Sequence, residues 1–460
     1  MEETFRDSIA TVDRQGKRSW IFSQQPKGKF YNARSVLSFL YFLAFFAGPF
    51  IQLNGRPLFL FNVVEGRFIL FGAIFWPQDF FIFGLAMVAF ILFIVLFTMA
   101  FGRLFCGWAC PQTIFMEMLF RRIEYWIEGD AAAQKMLRQA PWNTDKIVKK
   151  TSKHILFYLL SFLIANTFLA YIIGIKSLTA IITGPVAEHA GGLTTMIVFA
   201  GVFYSVYAFF REQVCTIVCP YGRLQGVLLD RDSVVVAYDY TRGEPRGHFK
   251  KNADNNLGDC IDCNQCVKVC PTGIDIRNGT QLECVSCTAC IDACNFMMEK
   301  VGRPLNLIRY ASENGIANKQ PLRFTPRLKV YTSILLVLLT AITWMLASRK
   351  PVSGTIIRTA GMLYQERGAD SISNLYRIKL VNKTTADIPL TLRLEDVNGK
   401  IELLGHPQIL VKEEDQGEGI FFVILPRTAI GKRKTPLRIS LYEGDKKTGT
   451  LNTTFLGPAR

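Results

Sequence analysis

The chain has 460 residues, is half hydrophobic and 12% aromatic, and carries a formal net charge of +16. That length holds two to four domains, and the apolar content with a basic excess points to a membrane protein with Lys/Arg-rich loops. Nucleic-acid binding is not expected, because the basic residues flank apolar runs instead of forming one polar patch.

The first 34 residues are polar and carry Arg6, Arg14, Lys17, Arg18, Lys27, Lys29 and Arg34. With no apolar core there, no cleavable signal peptide is expected. Five apolar stretches then reach the roughly 20 residues that a bilayer requires. They run approximately Ser35–Leu53, Phe80–Phe101, Ile155–Ile175, Leu193–Phe210 and Val330–Ala347. The stretch Leu58–Trp76 is also apolar, but Glu65, Gly66 and Arg67 interrupt it. It is read as a hairpin or interfacial segment on the outer side, since charge in hydrocarbon is costly.

Lys and Arg alternate between loops: seven before the first stretch, two in 54–79, nine in 102–154, one (Lys176) in 176–192, and many in 211–329, including Arg211, Arg223, Lys250 and Lys251. The positive-inside rule then puts the N-terminus, the 102–154 loop and segment 231–329 in the cytoplasm. Five crossings put the C-terminal segment outside. That segment lacks cysteine, as suits an oxidising compartment.

All twelve cysteines fall into four spaced groups. Cys260, Cys263, Cys266 and Cys270 form a C-x2-C-x2-C-x3-C run followed by Pro271; Cys284, Cys287, Cys290 and Cys294 repeat the spacing, with Asn295 in place of the proline. This is the bacterial ferredoxin signature for two [4Fe–4S] clusters, in which the fourth cysteine of each run serves the other cluster. One cluster is expected on Cys260, Cys263, Cys266 and Cys294, the other on Cys284, Cys287, Cys290 and Cys270. Zinc would use separated C-x2-C pairs instead. Asp259, Asp262, Asp275 and Asp292 lie around these runs, either as solvated acids or to meet a basic partner.

Cys106–Pro111 reads C-G-W-A-C-P and Cys215–Pro220 reads C-T-I-V-C-P. Each follows an apolar stretch and an arginine (Arg103, Arg211) and precedes an amphipathic helix, roughly Pro111–Glu128 and Pro220–Asp230. The two halves read as an internal repeat in parallel orientation. It would set Cys106, Cys110, Cys215 and Cys219 together as four soft thiolates, either on helix faces or at helix N-termini. Such a set selects Cu(I), zinc or iron–sulfur. Met116 and Met118 are read as packing residues, Glu117 and Glu124 as partners of Arg121 and Arg122. His154 and His189 show no heme-pair spacing, and no G-x-G-x-x-G nucleotide fingerprint occurs, so reducing power is expected from a partner.

After the last apolar stretch, Tyr376, Ile378 and Leu380, then Leu390, Leu392 and Leu394, then Leu437, Ile439 and Leu441 alternate with polar residues, and Asn398-Gly399 is a hairpin signal. An all-β immunoglobulin-like sandwich is expected there. His406 stands alone, and no ligand cluster is visible in this segment.

F-C-G-W-A-C-P-Q-T at Phe105–Thr113, F-R-E-Q-V-C-T-I-V-C-P-Y at Phe210–Tyr221, the run Cys260–Asp275 and W-P-Q-D at Trp76–Asp79 together resemble the cytochrome oxidase accessory family called CcoG, FixG or RdxA. The resemblance covers nearly the whole chain. It implies a role in assembling the cbb-type heme–copper oxidase, and copper as substrate or bound metal at Cys106, Cys110, Cys215 and Cys219. It also implies oxidase assembly factors and a copper transporter as partners.

The expected architecture is therefore a membrane α-helical bundle of five transmembrane helices with a cytoplasmic 2[4Fe–4S] ferredoxin domain and a C-terminal immunoglobulin-like domain. The divisions are a cytoplasmic segment 1–34, a four-helix membrane domain 35–230, the ferredoxin-like domain 231–329, a fifth span 330–348 and a periplasmic domain 349–460. The expected activity is Cu(II) reduction in the inner membrane, fed by a cytoplasmic electron donor. A quinol-linked electron-transfer subunit and a non-enzymatic scaffold or metallochaperone are the alternatives. A homodimer is an ordinary assembly for such a chain.

Overall fold

The structure is a computed structural model. It describes residues 10–13, 15–53, 55–63, 66–76, 79–248, 257–319, 325–349, 351–359, 363–368, 370–384, 386–405, 407–413 and 415–458. Arg6, Arg14, Glu65, Pro77, Gln78, Lys250, Lys251 and His406, named above, lie outside the described residues. The chain divides into two compact units, one formed by 1–63 and 86–339, the other by 64–85 and 340–460.

Five helices are long and apolar enough to cross a membrane: Lys29–Phe50, Phe80–Phe101, Thr144–Ile173, Val186–Phe210 and Pro326–Ala347. Four of them begin or end beyond the apolar runs, because polar residues extend each helix past the hydrocarbon thickness. The third is the clearest. It starts at Thr144, where the Asn143 side chain caps the Lys146 N–H at 2.9 Å. At 30 residues it is about 45 Å long, against a hydrocarbon core of about 30 Å. Its first turns carry Lys146, Lys149, Lys150 and Lys153.

In the first unit the helices pack around Phe115, Phe120, Phe157, Ile164 and Tyr207, with Tyr41, Phe42, Phe45 and Phe46 against them. Phe120 stacks on Tyr207 at 4.3 Å between ring centroids. The amphipathic segment expected at Pro111–Glu128 forms, interrupted at Met116–Phe120 by a π-helical turn. Two more π turns, Val206–Phe210 and Val214–Val218, flank the second cysteine pair. Such widened turns gather at functional positions.

The ferredoxin-like lobe belongs to the same unit. Strands Val235–Tyr238 and Ile308–Ala311 pair antiparallel, and a core of Val236, Tyr238, Ile274, Ile276, Ile291, Met298, Leu307 and Ile308 forms beneath the cysteines. The polar segment before the first helix is not a loose tail in this unit. Trp20 lies between the guanidinium groups of Arg18 and Arg211, 4.4 and 4.9 Å from its ring, and Gln24 N–H donates to Lys268 O at 2.8 Å.

In the second unit, Arg67–Leu70 and Ala73–Phe75 pair antiparallel, so this part of the interrupted apolar stretch is a β-hairpin. Asp79 is buried with Lys383 at 2.6 Å and with Arg349. Burial alone would raise its carboxyl; the two cations outweigh it and hold the group below the usual range. Two antiparallel sheets make up the C-terminal domain. One runs Lys400–Leu403, Gln416–Pro426, Ser371–Asn382, Val352–Arg358, with Gln365–Arg367 added to the third of these; the other runs Ile409–Val411, Ile388–Leu394, Lys434–Glu443, Lys446–Leu456. The alternating residues Tyr376, Ile378, Leu380, Leu390, Leu437, Ile439 and Leu441 meet in one shared core.

Asn398-Gly399 is not a hairpin turn. The strands on either side, Ile388–Leu394 and Lys400–Leu403, belong to different sheets. Glycine is needed there for space: a Cβ on Gly399 would stand 2.3 Å from Leu425 Cδ2. The two-residue hairpin is instead at Gly444-Asp445, where Glu443 pairs with Lys446 and Gly444 has φ of 59°.

Candidate functional site

All twelve cysteines are unpaired thiols. In the ferredoxin-like lobe they surround two cavities. Cys260, Cys263, Cys266 and Cys294 line one, with Tyr238 and Arg277. Cys270, Cys284, Cys287 and Cys290 line the other, which Cys266 also borders. The last cysteine of each run thus stands with the first three of the other run. The two loops have the same backbone 24 positions apart. Asp262 and Asn264 have φ of 52° and 56°, and Ser286 and Thr288 have 53° and 66°. Alternating left-handed residues curl each loop so that its N–H groups can turn inward, a nest suited to anionic sulfur.

Among the described residues, no three His, Cys, Asp or Glu side chains converge on a point where one ion would sit. Thiols ringing a cavity fit a multi-iron cube better than a single ion, so the residues suit [4Fe–4S] clusters. Burial pushes Cys266, Cys287 and Cys294 up to about 12 and Cys284 to about 11. These thiols are neutral until a metal takes the place of the proton.

The acids around the runs are spent internally. Asp259 bonds Arg242 at 2.9 Å, and Asp262 and Asp275 both bond Arg277. Asp292 accepts from the Phe30 and Tyr31 N–H groups at 3.2 and 2.8 Å, closing the first turn of the first membrane-length helix.

The two C-x3-C-P segments have matching backbones. Cys110 and Cys219 are both N-caps, with ψ of 124° and 112°, and a proline opens each following helix. Cys110 N–H donates to Phe105 O at 2.9 Å, and Cys219 N–H to Val214 O at 2.8 Å, each five residues back; Cys106 and Cys215 each bond three residues back. Both segments enter through a left-handed residue four positions before the first cysteine, Gly102 at 54° and Arg211 at 52°. Arg211 therefore matches Gly102, not Arg103 as the sequence order implies. Its side chain has a separate use, in the ion network described below.

The two cysteine pairs are neighbours, although no three of the four thiols converge on one ion-sized point among the described residues. Burial pushes Cys106 up to about 12, with Cys110 and Cys219 as neighbouring thiols; Cys215 is also near 12 from burial, with Cys110, Cys106 and Cys219 around it. Two polar residues that the sequence reading gave no role touch them. Cys106 Sγ donates to Gln225 Oε1 at 3.1 Å, and Cys215 Sγ lies 3.9 Å from Thr113 Oγ1. Each partner is on the helix that follows the opposite motif. No spacing rule marks these positions, because the contact arises only when the repeats face each other.

The first motif rests on the ferredoxin-like lobe. Cys106 packs with Val285, Cys287 and Ala289. Arg34 donates to Gly107 O at 3.0 Å and to Cys287 O at 2.9 Å, joining the two loops. Arg103 donates to Leu282 O and Gly222 O. Trp108 Nε1 donates to Tyr310 OH at 3.0 Å. At Gly107 any Cβ would lie 2.5 Å from Ser286 O, so only glycine permits this approach.

The remaining candidates are structural. Met116 and Met118 are buried at 3% exposure. His154 Nδ1 is 2.9 Å from Tyr204 OH, and His189 lies at an irregular turn of the fourth long helix. Glu117 pairs with Arg121 as the sequence order implies, but Glu124 pairs with Lys153 and Arg211. Arg122 bonds Tyr31 OH and Ser35 Oγ instead of an acid.

Three family models match the chain: a 4Fe-4S dicluster domain over 210–313, a 4Fe-4S binding domain over 83–129, and the Ig-like fold at the C-terminus of FixG over 342–458. The nitrogen fixation protein FixG of Rhizobium meliloti is 33% identical over 427 residues, covering 82% of this chain and 80% of that protein. RdxB of Cereibacter sphaeroides is 33% identical, covering 86% of each, and RdxA of the same organism is 38% identical, covering 64% of this chain and 62% of that protein. The crystal structure of a FixG-related protein from Vibrio parahaemolyticus aligns with 24% of this chain and 97% of its own, at 17% identity and a TM-score of 0.21. With the clustered cysteines, the membrane-length helices and the FixG-type C-terminal domain in one chain, the protein belongs to the FixG/RdxA/RdxB family of iron–sulfur electron-transfer proteins.

Proposed function

We propose that the protein reduces Cu(II) to Cu(I) at Cys106, Cys110, Cys215 and Cys219, supplying copper for assembly of a cbb-type heme–copper oxidase. The observation that carries this reading is the packing of Cys106 on the small core that contains Cys287. A soft four-thiol site adjoins the loop of an iron–sulfur ligand set. Cys260, Cys263, Cys266 and Cys294 would hold one [4Fe–4S] cluster, and Cys284, Cys287, Cys290 and Cys270 the other. When bound, these clusters supply one-electron transfer.

Copper enters as substrate. The incoming cation displaces protons from the quartet's thiols to water, and thiolate sulfur favours Cu(I) over Cu(II). Each Cu(II) takes one electron and leaves as Cu(I). Burial holds the Cys106 and Cys215 thiols protonated until a metal arrives.

In this reading the protein lies in the bacterial inner membrane. The alternation of Lys and Arg supports a cytoplasmic N-terminus and ferredoxin domain (231–329) and a periplasmic C-terminal domain (349–460). Its partners are the lipid bilayer, a cytoplasmic electron donor, oxidase assembly factors and a copper transporter.

The test uses anaerobically purified, chemically reduced full-length protein with a colour-forming Cu(I) chelator. A variant with serine at Cys106, Cys110, Cys215 and Cys219 loses Cu(I) formation and keeps about eight iron atoms per chain. A second reading makes the quartet a permanent iron–sulfur centre. It is favoured by the 4Fe-4S binding model over 83–129, a segment in which Cys106 and Cys110 are the only cysteines. It requires about twelve iron atoms in wild type, falling to about eight in the variant. That outcome would overturn the copper site.

A further inference from the structure

Two arginines stand between the ferredoxin-like loop and the cysteine motifs, and both are buried, Arg34 at 4% exposure and Arg103 at 5%. Each crosses the same junction. Arg34 ties Gly107 O of the first motif to Cys287 O. Arg103 ties Leu282 O to Gly222 O on the helix after the second motif. Each keeps one enclosed nitrogen without a hydrogen-bond partner, Nη2 of Arg34 and Nε of Arg103. Among the described residues neither forms an ion pair. Asp292, buried two residues past Cys290, accepts from the Phe30 and Tyr31 N–H groups instead.

Bracing two loops needs the hydrogen bonds but not the charge. A buried cation without a counter-charge is strongly unfavourable, so these two call for an anion at the junction. A thiolate ligand set supplies it, because four thiolates outweigh the positive charge of a [4Fe–4S] cube. The two sets differ in their surroundings. The charge of Arg34 acts on Cys287, and that of Arg103 on Cys284. Around the other set the cations are already paired. Arg277, which acts on Cys266, lies between Asp262 and Asp275, and Arg242 and Arg303 share Asp259. A fixed positive charge favours the state that holds an extra electron, whereas paired charges largely cancel.

We propose that Arg34 and Arg103 raise the reduction potential of the cluster on Cys270, Cys284, Cys287 and Cys290 above that of the cluster on Cys260, Cys263, Cys266 and Cys294. The inference rests on the ligand sets proposed above and makes no use of copper. It gives the junction a direction. One electron, with no bond made or broken, is held more firmly at the set whose Cys287 packs with Cys106. The other set is then where electrons enter from the donor, and this one is the side that faces the quartet. Both arginines act through the ligand sets and are positioning residues, placing charge and not touching copper.

The test is a redox titration of the copper-free full-length protein, followed by electron paramagnetic resonance. It is run on wild type and on the variant with serine at all four quartet cysteines, and waves common to both belong to the ferredoxin-like lobe. Cys263→Ser marks the wave of its own set. The unmarked wave should be the higher of the two. Arg34→Gln should lower that wave alone, by at least about tenfold in the reduction equilibrium, or about 59 mV for one electron. Arg34→Lys, which keeps the charge, should leave it near the wild-type position. An unmarked wave that is the lower one overturns the proposal. So does an Arg34→Gln protein of full iron content in which neither wave moves, or in which both move equally, as loosened packing would cause. Should Arg34→Gln lose iron, Arg103→Gln carries the same comparison from the Cys284 side. A single shared wave with about four iron atoms per chain in the four-serine variant sinks the ligand sets, and this inference with them. The expected order of potentials without Cu(I) formation sinks the copper site alone.

Discussion

Glu124 is a charged residue almost fully enclosed beside the quartet's helices. Burial alone would raise its carboxyl, yet Arg211, Lys153 and Arg121 hold it down at about 2. Lys153 also reaches Glu128 at 2.7 Å, and Arg121 reaches Glu117 at 3.3 Å and Glu212 at 3.5 Å. This network fastens the helix after the first motif to Arg211 and Glu212 at the start of the second. A depressed carboxylate stabilises the fold fully above its unfolded value near 4.5, and the contribution fades as pH falls toward 2. The depression corresponds to about 3 kcal/mol at neutral pH. Glu124→Gln takes from buried Arg211 the carboxylate it pairs with, while Lys153 keeps Glu128, a loss of about 3–5 kcal/mol. Denaturation of the detergent-solubilised protein at pH 7 should show that loss, and the gap to wild type should narrow between pH 4.5 and pH 2. A gap that stays constant over that range would mean the network is not what holds Glu124 ionised. The sequence order pointed Glu124 at Arg121 and Arg122. Its stronger partners are 29 and 87 positions away, where no helical spacing rule reaches.

At the scale of elements, periodicity and spacing carried most of the information. Five apolar runs became five helices, and the alternating residues of the C-terminal segment became buried faces. The turn expected at Asn398-Gly399 does not form, because a local pattern does not record which neighbours crowd a backbone. Gly399 exists for the approach of Leu425, and Arg211 occupies a left-handed position that Gly102 fills in the other repeat. Gly107 is the same kind of residue at the functional site. A side chain there meets the Val285 and Ser286 carbonyls and pries the first motif from the ferredoxin-like loop. Gly107→Val therefore costs about 1–3 kcal/mol as an overpacked contact. It should also slow Cu(I) formation by the reduced protein while the iron content stays at the wild-type level. Normal copper reduction in a folded Gly107→Val protein would show that this contact is not part of the electron route.

For the whole molecule, the Lys and Arg distribution makes the proposed orientation testable without reference to chemistry. An odd number of crossings would separate the N-terminal and C-terminal ends by the bilayer, and the positive-inside rule would put the basic loops inside. The proposed orientation would put the 112 residues of 349–460, which contain no cysteine, in an oxidising compartment, where a thiol would be trapped. The interrupted stretch 58–76 decides the parity. As a sixth crossing it would return the C-terminal domain to the cytoplasm; as the hairpin seen at Arg67–Phe75 it does not cross. Protease added to spheroplasts of a bacterium expressing the full chain should therefore cut in the C-terminal domain and spare the segment around Cys260–Cys294. In inverted vesicles the susceptibility should reverse. Cleavage of both segments from one side would require an even number of crossings. The C-terminal domain would then share a compartment with the iron–sulfur cysteines, and its lack of thiols would need another cause.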